Sequence, residues 1–277
     1  MNDGPLSPNE TRDLLARLSH MPKKWLGQNF LIDGNIVRKS LELGEVKAGD
    51  TVLEVGPGLG TLTRTLLCAG TDLYAIEADR TMHFHLTESL LPRFPKTFHL
   101  KEGDAVDFPR AGLVDPTDGS FKVIANLPYA ISTPWMDAIC AGPHPSMMVL
   151  MLQREAAERL TAEVGTGHWS AVTAQVHLAF EKVKVHPVPA QSFNPPPKVD
   201  SCLLVLRRRP DAKRLSPRAR EVARMLFTQR RKQVGSAAKK LFPGAADVTA
   251  WLADLPRYGL TSLARPEAIP AEAWLTL

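Results

Sequence analysis

Four consecutive residues, Asn126-Leu127-Pro128-Tyr129, carry the sharpest chemical signal in the chain. A side-chain amide, a proline-stiffened backbone and an aromatic ring suit work on the exocyclic amine of adenine. That amine is a poor nucleophile because its lone pair is delocalised into the ring. Two acceptors aimed at its hydrogens, the Asn126 side-chain oxygen and a nearby backbone carbonyl, favour a more tetrahedral nitrogen with its lone pair free to attack. Pro128 stiffens the turn that presents the carbonyl. Tyr129 can stack on the base, a contact worth about 1–3 kcal/mol. No general base is needed before attack, because the proton leaves once the nitrogen is cationic. Alone, such a motif reads as a turn with a buried tyrosine; its place after an apolar run favours catalysis.

Three further signals also close apolar runs. Gly56, Gly58 and Gly60 form a GxGxG loop, where glycine permits a sharp turn and close approach of a ligand to the backbone. Thr61 stands where the dinucleotide fingerprint GxGxxG has its third glycine. The loop therefore suits a cofactor with no phosphate to cradle, such as S-adenosylmethionine. Glu77 lies 17 residues beyond Gly60, placed to accept hydrogen bonds from both hydroxyls of a ribose. A lone glutamate is usually a surface acid, but one ending a strand after a glycine loop reads as a ligand. Asp104, after Gly103, is placed to accept from the cofactor's adenine amine and is preferred to Asp107.

The elements that must position these residues follow from hydrophobic pattern. Apolar runs at 51–55, 73–76, 97–100, 122–125 and 147–152 read as strands, with helical stretches at 61–69 and 154–162. Their alternation predicts an α/β fold, a mostly parallel sheet with helices on both faces. In such sheets ligands bind at the carboxyl edge of the strands, and all four signals fall there. Residues 172–180, 183–188, 192–197 and 201–206 predict an antiparallel strand or hairpin at the sheet edge. Residues 11–19 read as a short amphipathic helix with Leu14, Leu15 and Leu18 on one side. From Pro210 the pattern is helical and charged to about Lys240, then weaker to Leu277. The expected division is an N-terminal extension (1–21), a cofactor-binding domain (22–209) and a helical RNA-binding domain (210–277).

Charge supports a polyanionic partner. The 277 residues carry a net charge of +5, yet residues 207–240 alone hold thirteen Lys and Arg against Asp211 and Glu221, so the remainder is acidic. A basic block on an acidic body reads as a nucleic-acid surface; a solvated helical face would mix signs. Arg207, Arg208, Arg230, Arg231 and Lys232 are the candidate RNA contacts. No apolar run reaches the roughly 18 residues of a membrane span, and the polar first twenty residues lack a signal peptide's core, so the expected location is the cytoplasm. Cys68, Cys140 and Cys202 are too scattered for a disulfide framework or a metal site and read as buried thiols. No paired ligand spacing among the histidines points to a metal.

Together these segments resemble the KsgA family, the small-subunit ribosomal RNA adenine N6,N6-dimethyltransferases. The matching stretches are KKWLGQNFLID (23–33), VLEVGPGLGTLT (52–63), AIEAD (75–79), GDA (103–105), NLPYAIST (126–133), MLQREAAERL (151–160), SFNPPPKVDS (192–201) and FTQRRKQ (227–233). The resemblance implies a Rossmann-like class I methyltransferase sheet with a small C-terminal helical domain. It implies that Asn29 and Leu31 join Gly56, Gly58, Glu77, Asp104 and Asn126 around S-adenosylmethionine, without a metal. It implies that Phe193 is a second aromatic near the target base, beside Asn126, Leu127, Pro128 and Tyr129. The implied substrate is two adjacent adenosines in the 3'-terminal hairpin of 16S ribosomal RNA in the assembling small subunit, and the implied enzyme acts as a monomer. The chain departs from the family pattern at Ala130, where an asparagine is expected, and at Trp169.

Three rivals differ in readable ways. Methylation of large-subunit RNA is the nearest; the basic helical C-terminus and FNPPPKVDS favour the small subunit. DNA adenine methyltransferases usually carry a proline where this chain has Leu127. A non-catalytic assembly factor would not need Glu77, Asp104 and Asn126 together.

Overall fold

The computed structural model describes residues 4–22 and 28–277. The first three residues of the 1–21 extension and residues 23–27 of the KKWLGQNFLID segment lie outside the described residues. The extension forms helix α1 (Pro8–Arg17), which begins earlier than its leucines suggest. Ser7 explains the start: its hydroxyl accepts from the Glu10 backbone N–H at 3.3 Å, and the Glu10 carboxylate accepts from the Ser7 N–H at 2.8 Å.

A two-residue strand β1 (Phe30–Leu31) and helix α2 (Gly34–Leu43) precede the sheet. Its strands and helices then alternate: β2 (Thr51–Val55), α3 (Thr61–Cys68), β3 (Asp72–Glu77), α4 (Arg80–Ser89), β4 (Phe98–Glu102), β5 (Lys122–Asn126), α5 (Ser132–Ile139), β6 (Met147–Gln153) and α6 (Arg154–Leu160). Val52, Leu53, Val123, Ile124, Met148 and Leu150 are fully enclosed. Their strands are covered on both faces, so they read as unbroken apolar runs rather than alternating ones.

Helix α7 (Ala171–Ala179) overturns the strand expectation for 172–180. Ser170 caps it by accepting from the Thr173 N–H at 3.2 Å. Eight of its nine residues are buried, so it shows no polar face and no helical period for the sequence to reveal. Strand β7 (Phe180–Val188), the short β8 (Phe193–Asn194) and β9 (Ser201–Arg208) follow. The seven-stranded order is β4-β3-β2-β5-β6-β9-β7. Strands β4 to β6 pair in parallel, and β9 runs antiparallel to β6. The antiparallel strand β9 is therefore internal, and β7 forms the edge. From β2 the chain steps outward to β4, then returns to β5 on the other side. That reversal opens a crevice at the carboxyl ends, where Gly56, Glu77, Gly103 and Asn126 all fall.

Residue contacts divide the chain into two compact units. The first holds the sheet and the crevice. The second comprises residues 140–142, 158–181 and 209–277, so it takes α7 as well as α8 (Pro217–Phe227), α9 (Val234–Leu241) and α10 (Ala246–Asp254). A boundary drawn at 209–210 from charge cannot register this, because α7 carries no charge pattern. Trp169 belongs to this unit's core: it is buried, and its indole N–H donates to the Ile269 carbonyl at 2.9 Å. Trp251 and Trp274 stack there with ring centres 4.8 Å apart. The departure at Trp169 is thus a packing residue. Of the cysteines, Cys140 and Cys202 are buried, but Cys68, the last residue of α3, is exposed. No helix among the described residues is long and apolar enough to cross a membrane.

Candidate active site

A cavity of about 300 Å³ lies at the carboxyl edge of the sheet, lined by β1 with the two residues before it and by the turns after β2, β3, β4 and β5. Asn29, Leu31, Gly56, Gly58, Glu77, Asp104, Asn126, Leu127, Pro128 and Tyr129 all line it. Every cofactor residue expected from the sequence is therefore gathered in one place, along with four of the five catalytic candidates.

The glycine loop is shaped by contacts that only glycine allows. Gly56 and Gly58 sit at φ +68° and +58°, a region most side chains avoid. A Cβ on Gly56 would approach Pro128 Cγ to 3.0 Å, and one on Gly58 would approach the Phe30 ring to 3.3 Å. The loop thus packs directly under the Asn126–Tyr129 turn. Glu77 is held beneath it: one carboxylate oxygen accepts from the Gly58 N–H at 2.9 Å and the other from the Asp79 N–H at 2.8 Å. A carboxylate has about four lone-pair sites, so acceptor capacity remains for a ligand. Burial pushes the Glu77 carboxyl above its usual range, with the Asp79 charge adding to the shift and the backbone N–H groups of Asp79, Gly58 and Ala78 opposing it. Asp104 caps its own turn, accepting from the Val106 N–H at 2.8 Å with one oxygen, and Asp107 does not line the cavity.

Asn126 is oriented by its neighbour across the cavity. Its Nδ2 donates to the Asn29 carbonyl at 3.2 Å, which leaves Oδ1 as the group's acceptor. The Pro128 carbonyl accepts from the Ile131 N–H at 3.1 Å, and Leu127 and Pro128 both line the cavity. Tyr129 is half-buried, and its hydroxyl bonds Ser201 Oγ at 2.9 Å; burial raises its pKa. Ala130 is exposed and lines the cavity mouth.

Phe193 does not join this group. It is 2% exposed and packs in the hydrophobic cluster that holds Leu31, Val188 and Leu203. It pairs with Leu31 across the β1–β8 ladder, but Leu31 lines the cavity and Phe193 does not. It offers no face to a base here, whereas Tyr129 and Phe30 both line the cavity.

Glu54 also lines the cavity and was not singled out from the sequence. Its one signal is a charge inside the otherwise apolar strand TVLEV. Burial pushes its carboxyl up to about 8, with the negative Glu77 adding to the shift and the Thr63 hydroxyl opposing it. The folded chain therefore holds a proton that an unfolded glutamate releases above its ordinary value of 4.5. Stability should fall as pH rises from that value towards about 8. Glu54→Gln should flatten this decline by an amount on the order of a few kcal/mol. Urea midpoints measured across this range check it; parallel profiles for the two proteins would refute it.

The candidate RNA-contact residues divide between the units. In the first, Arg207 pairs with Glu45 at 2.7 Å and Arg208 with Asp118 at 3.6 Å. In the second, Arg230 donates to the Gly167 carbonyl at 2.8 Å. Arg231 and Lys232 are exposed, in the turn between α8 and α9.

Comparison with known proteins agrees with this geometry. The model of the family described as ribosomal RNA adenine dimethylase matches residues 19–255. The chain belongs to that family. A family relative, the ribosomal RNA small subunit methyltransferase A of Opitutus terrae, is 52% identical over 99% of this chain and 98% of its own. The protein of that name from Lactobacillus acidophilus is 34% identical over 98% of this chain and 95% of its own. Among solved structures, a dimethyladenosine transferase from Plasmodium falciparum superposes with a TM-score of 0.67 at 27% identity, covering 89% of this chain and 95% of that one. The 23S rRNA methyltransferase ErmE gives 0.59 at 27% identity, covering 90% and 97%. Both solved structures share the fold seen here.

Proposed function

We propose that this family member transfers methyl groups from S-adenosylmethionine to the N6 amines of two adjacent adenosines in the 3'-terminal hairpin of 16S ribosomal RNA. The product would be N6,N6-dimethyladenosine, made in the cytoplasm as the small subunit assembles. The observation that carries the reading is Asn126. Its amide is tethered to Asn29, with its oxygen left as acceptor, in the same cavity as Glu77 and Asp104.

The residues present fit S-adenosylmethionine. A buried carboxylate at the cavity wall suits ribose hydroxyls, and the Gly56–Gly58 backbone that lines the cavity offers a nucleoside a surface to lie on. Glu77 would hold the ribose, Asp104 the adenine amine, and Asn29, Leu31, Gly56 and Gly58 the remaining walls. When bound, the cofactor supplies an electrophilic methyl on a sulfonium. The Asn126 oxygen and a backbone carbonyl of the motif accept hydrogen bonds from the substrate amine and orient its lone pair. Pro128 keeps that carbonyl in place. An adenine must leave its stack to enter the crevice, at a cost of a few kcal/mol. Tyr129, its ring fixed through Ser201, offsets part of that cost by stacking. Methyl transfer is assigned to 22–209 and RNA docking mainly to 210–277.

Label transfer tests the substrate. Methyl-labelled cofactor should mark under-methylated small-subunit RNA and leave large-subunit RNA unlabelled. Labelling of the large-subunit RNA would instead favour the activity named for ErmE.

The basic turn gives a second test. Neutralising Arg230, Arg231 and Lys232 should weaken RNA binding and flatten its salt dependence. Each lost phosphate contact lowers the slope of log affinity against log salt by about 0.7–0.9. Filter binding at several salt concentrations checks it. An unchanged slope would make the basic block a solvated face.

A further inference from the structure

The N-terminal extension has no role in the chemistry above, and none of its described residues lines the cavity. Its contacts nevertheless end at the cavity's walls. Leu6, Leu14 and Leu15 are buried in one cluster with Phe30, Leu59 and Met82, and Leu18 packs against it. Phe30 and Leu59 line the cavity, and the Phe30 ring is the neighbour that keeps position 58 a glycine. Thus α1 presses on the outer side of two side chains whose other side faces the ligand space.

A polar chain runs in parallel. The His20 ring Nε2 lies 2.9 Å from Gln28 Oε1, and Gln28 Nε2 donates to an Asp79 carboxylate oxygen at 3.0 Å. Because Gln28 uses its nitrogen on Asp79, its oxygen is the acceptor, and His20 Nε2 carries the proton. The other Asp79 oxygen caps α4 by accepting from the Thr81 N–H at 2.9 Å. The Asp79 backbone N–H donates to Glu77 at 2.8 Å, and Glu77 in turn receives the Gly58 N–H. His20 and Asp79 are both buried. A single line of hydrogen bonds therefore joins the end of the extension to the carboxylate and glycine of the ligand cavity.

We propose that residues 4–20 are a positioning element of the cofactor site. The apolar face of α1 backs Phe30 and Leu59, and His20, through Gln28 and Asp79, fixes the rotamer of Glu77. This inference rests on the reading of the cavity as an S-adenosylmethionine site. The extension sets the affinity for the cofactor without touching it, and His20 is a positioning residue rather than a catalytic one.

Calorimetry with S-adenosylmethionine on the full chain tests this, with affinity for a small-subunit RNA hairpin and the melting curve measured alongside. His20→Ala should weaken cofactor binding about fivefold, the effect of one lost hydrogen bond, while RNA affinity stays at the wild-type value. His20→Gln should restore most of the loss, because its amide nitrogen takes the place of the ring donor. Replacing Leu14 and Leu15 together by alanine should weaken cofactor binding at least as much; if that variant does not fold, the His20 pair decides. Wild-type cofactor affinity in a folded His20→Ala protein would overturn the proposal. So would a loss shared equally by cofactor and RNA, which marks general destabilisation. A wild-type chain that binds the RNA hairpin but not the cofactor would overturn the assignment of the cavity itself, and this inference with it.

Discussion

Asn126→Ala should reduce methyl transfer by a factor of about 10²–10³, the range for removing one preorganised group that acts on the reacting atom. Affinity for cofactor and RNA should stay within about threefold of wild type, as expected for a group spent on the chemical step. The reason is geometric. The Asn126 amide is held by the Asn29 carbonyl at 3.2 Å, so its oxygen is aimed before the substrate arrives. Alanine removes that acceptor and leaves only a backbone carbonyl of the motif to orient the amine. Single-turnover rates on under-methylated small subunits check this. A near-normal rate would remove Asn126 from the mechanism; a parallel fall in cofactor affinity would make it chiefly a binding residue.

Glu77→Ala should act on the other side of the same cavity. A hydrogen bond to a charged group contributes roughly 1.5–3 kcal/mol, so cofactor affinity should drop about tenfold or more. Two effects point the same way. The ligand loses its acceptor, and the Gly58 and Asp79 N–H groups lose the carboxylate that anchors the glycine loop. Calorimetry with S-adenosylmethionine reads the loss directly. Unchanged affinity would mean that Glu77 serves only the loop.

The chemistry-bearing residues were legible in the sequence because of where each one stands. Glu77 and Asn126 close apolar strands, and Gly56 and Gly103 follow them, so the carboxyl-edge rule places all four together. Glu54 was harder to see because it sits inside its strand, and only its charge marks it. Phe193 was expected near the base from the family resemblance alone; its two-residue strand shows no alternation, and the ring lies buried beside the cavity wall residue Leu31. Helix α7 was read as strand because a helix buried all round shows no period. The extension's leucines announced a helix, but its target lies in Phe30, Leu59 and Met82, distant in sequence and joined only by folding.

The central claim is dimethylation of adenine N6, and mass spectrometry of nucleosides tests it most directly. Small subunits lacking the modification would be treated with the protein and S-adenosylmethionine, and their RNA digested to nucleosides. The account predicts N6,N6-dimethyladenosine, mapped to two adjacent positions in the 3'-terminal hairpin and absent when Asn126→Ala replaces the wild-type chain. Methyl groups on another base, on a ring nitrogen of adenine, or in equal amount from the Asn126 variant would contradict it.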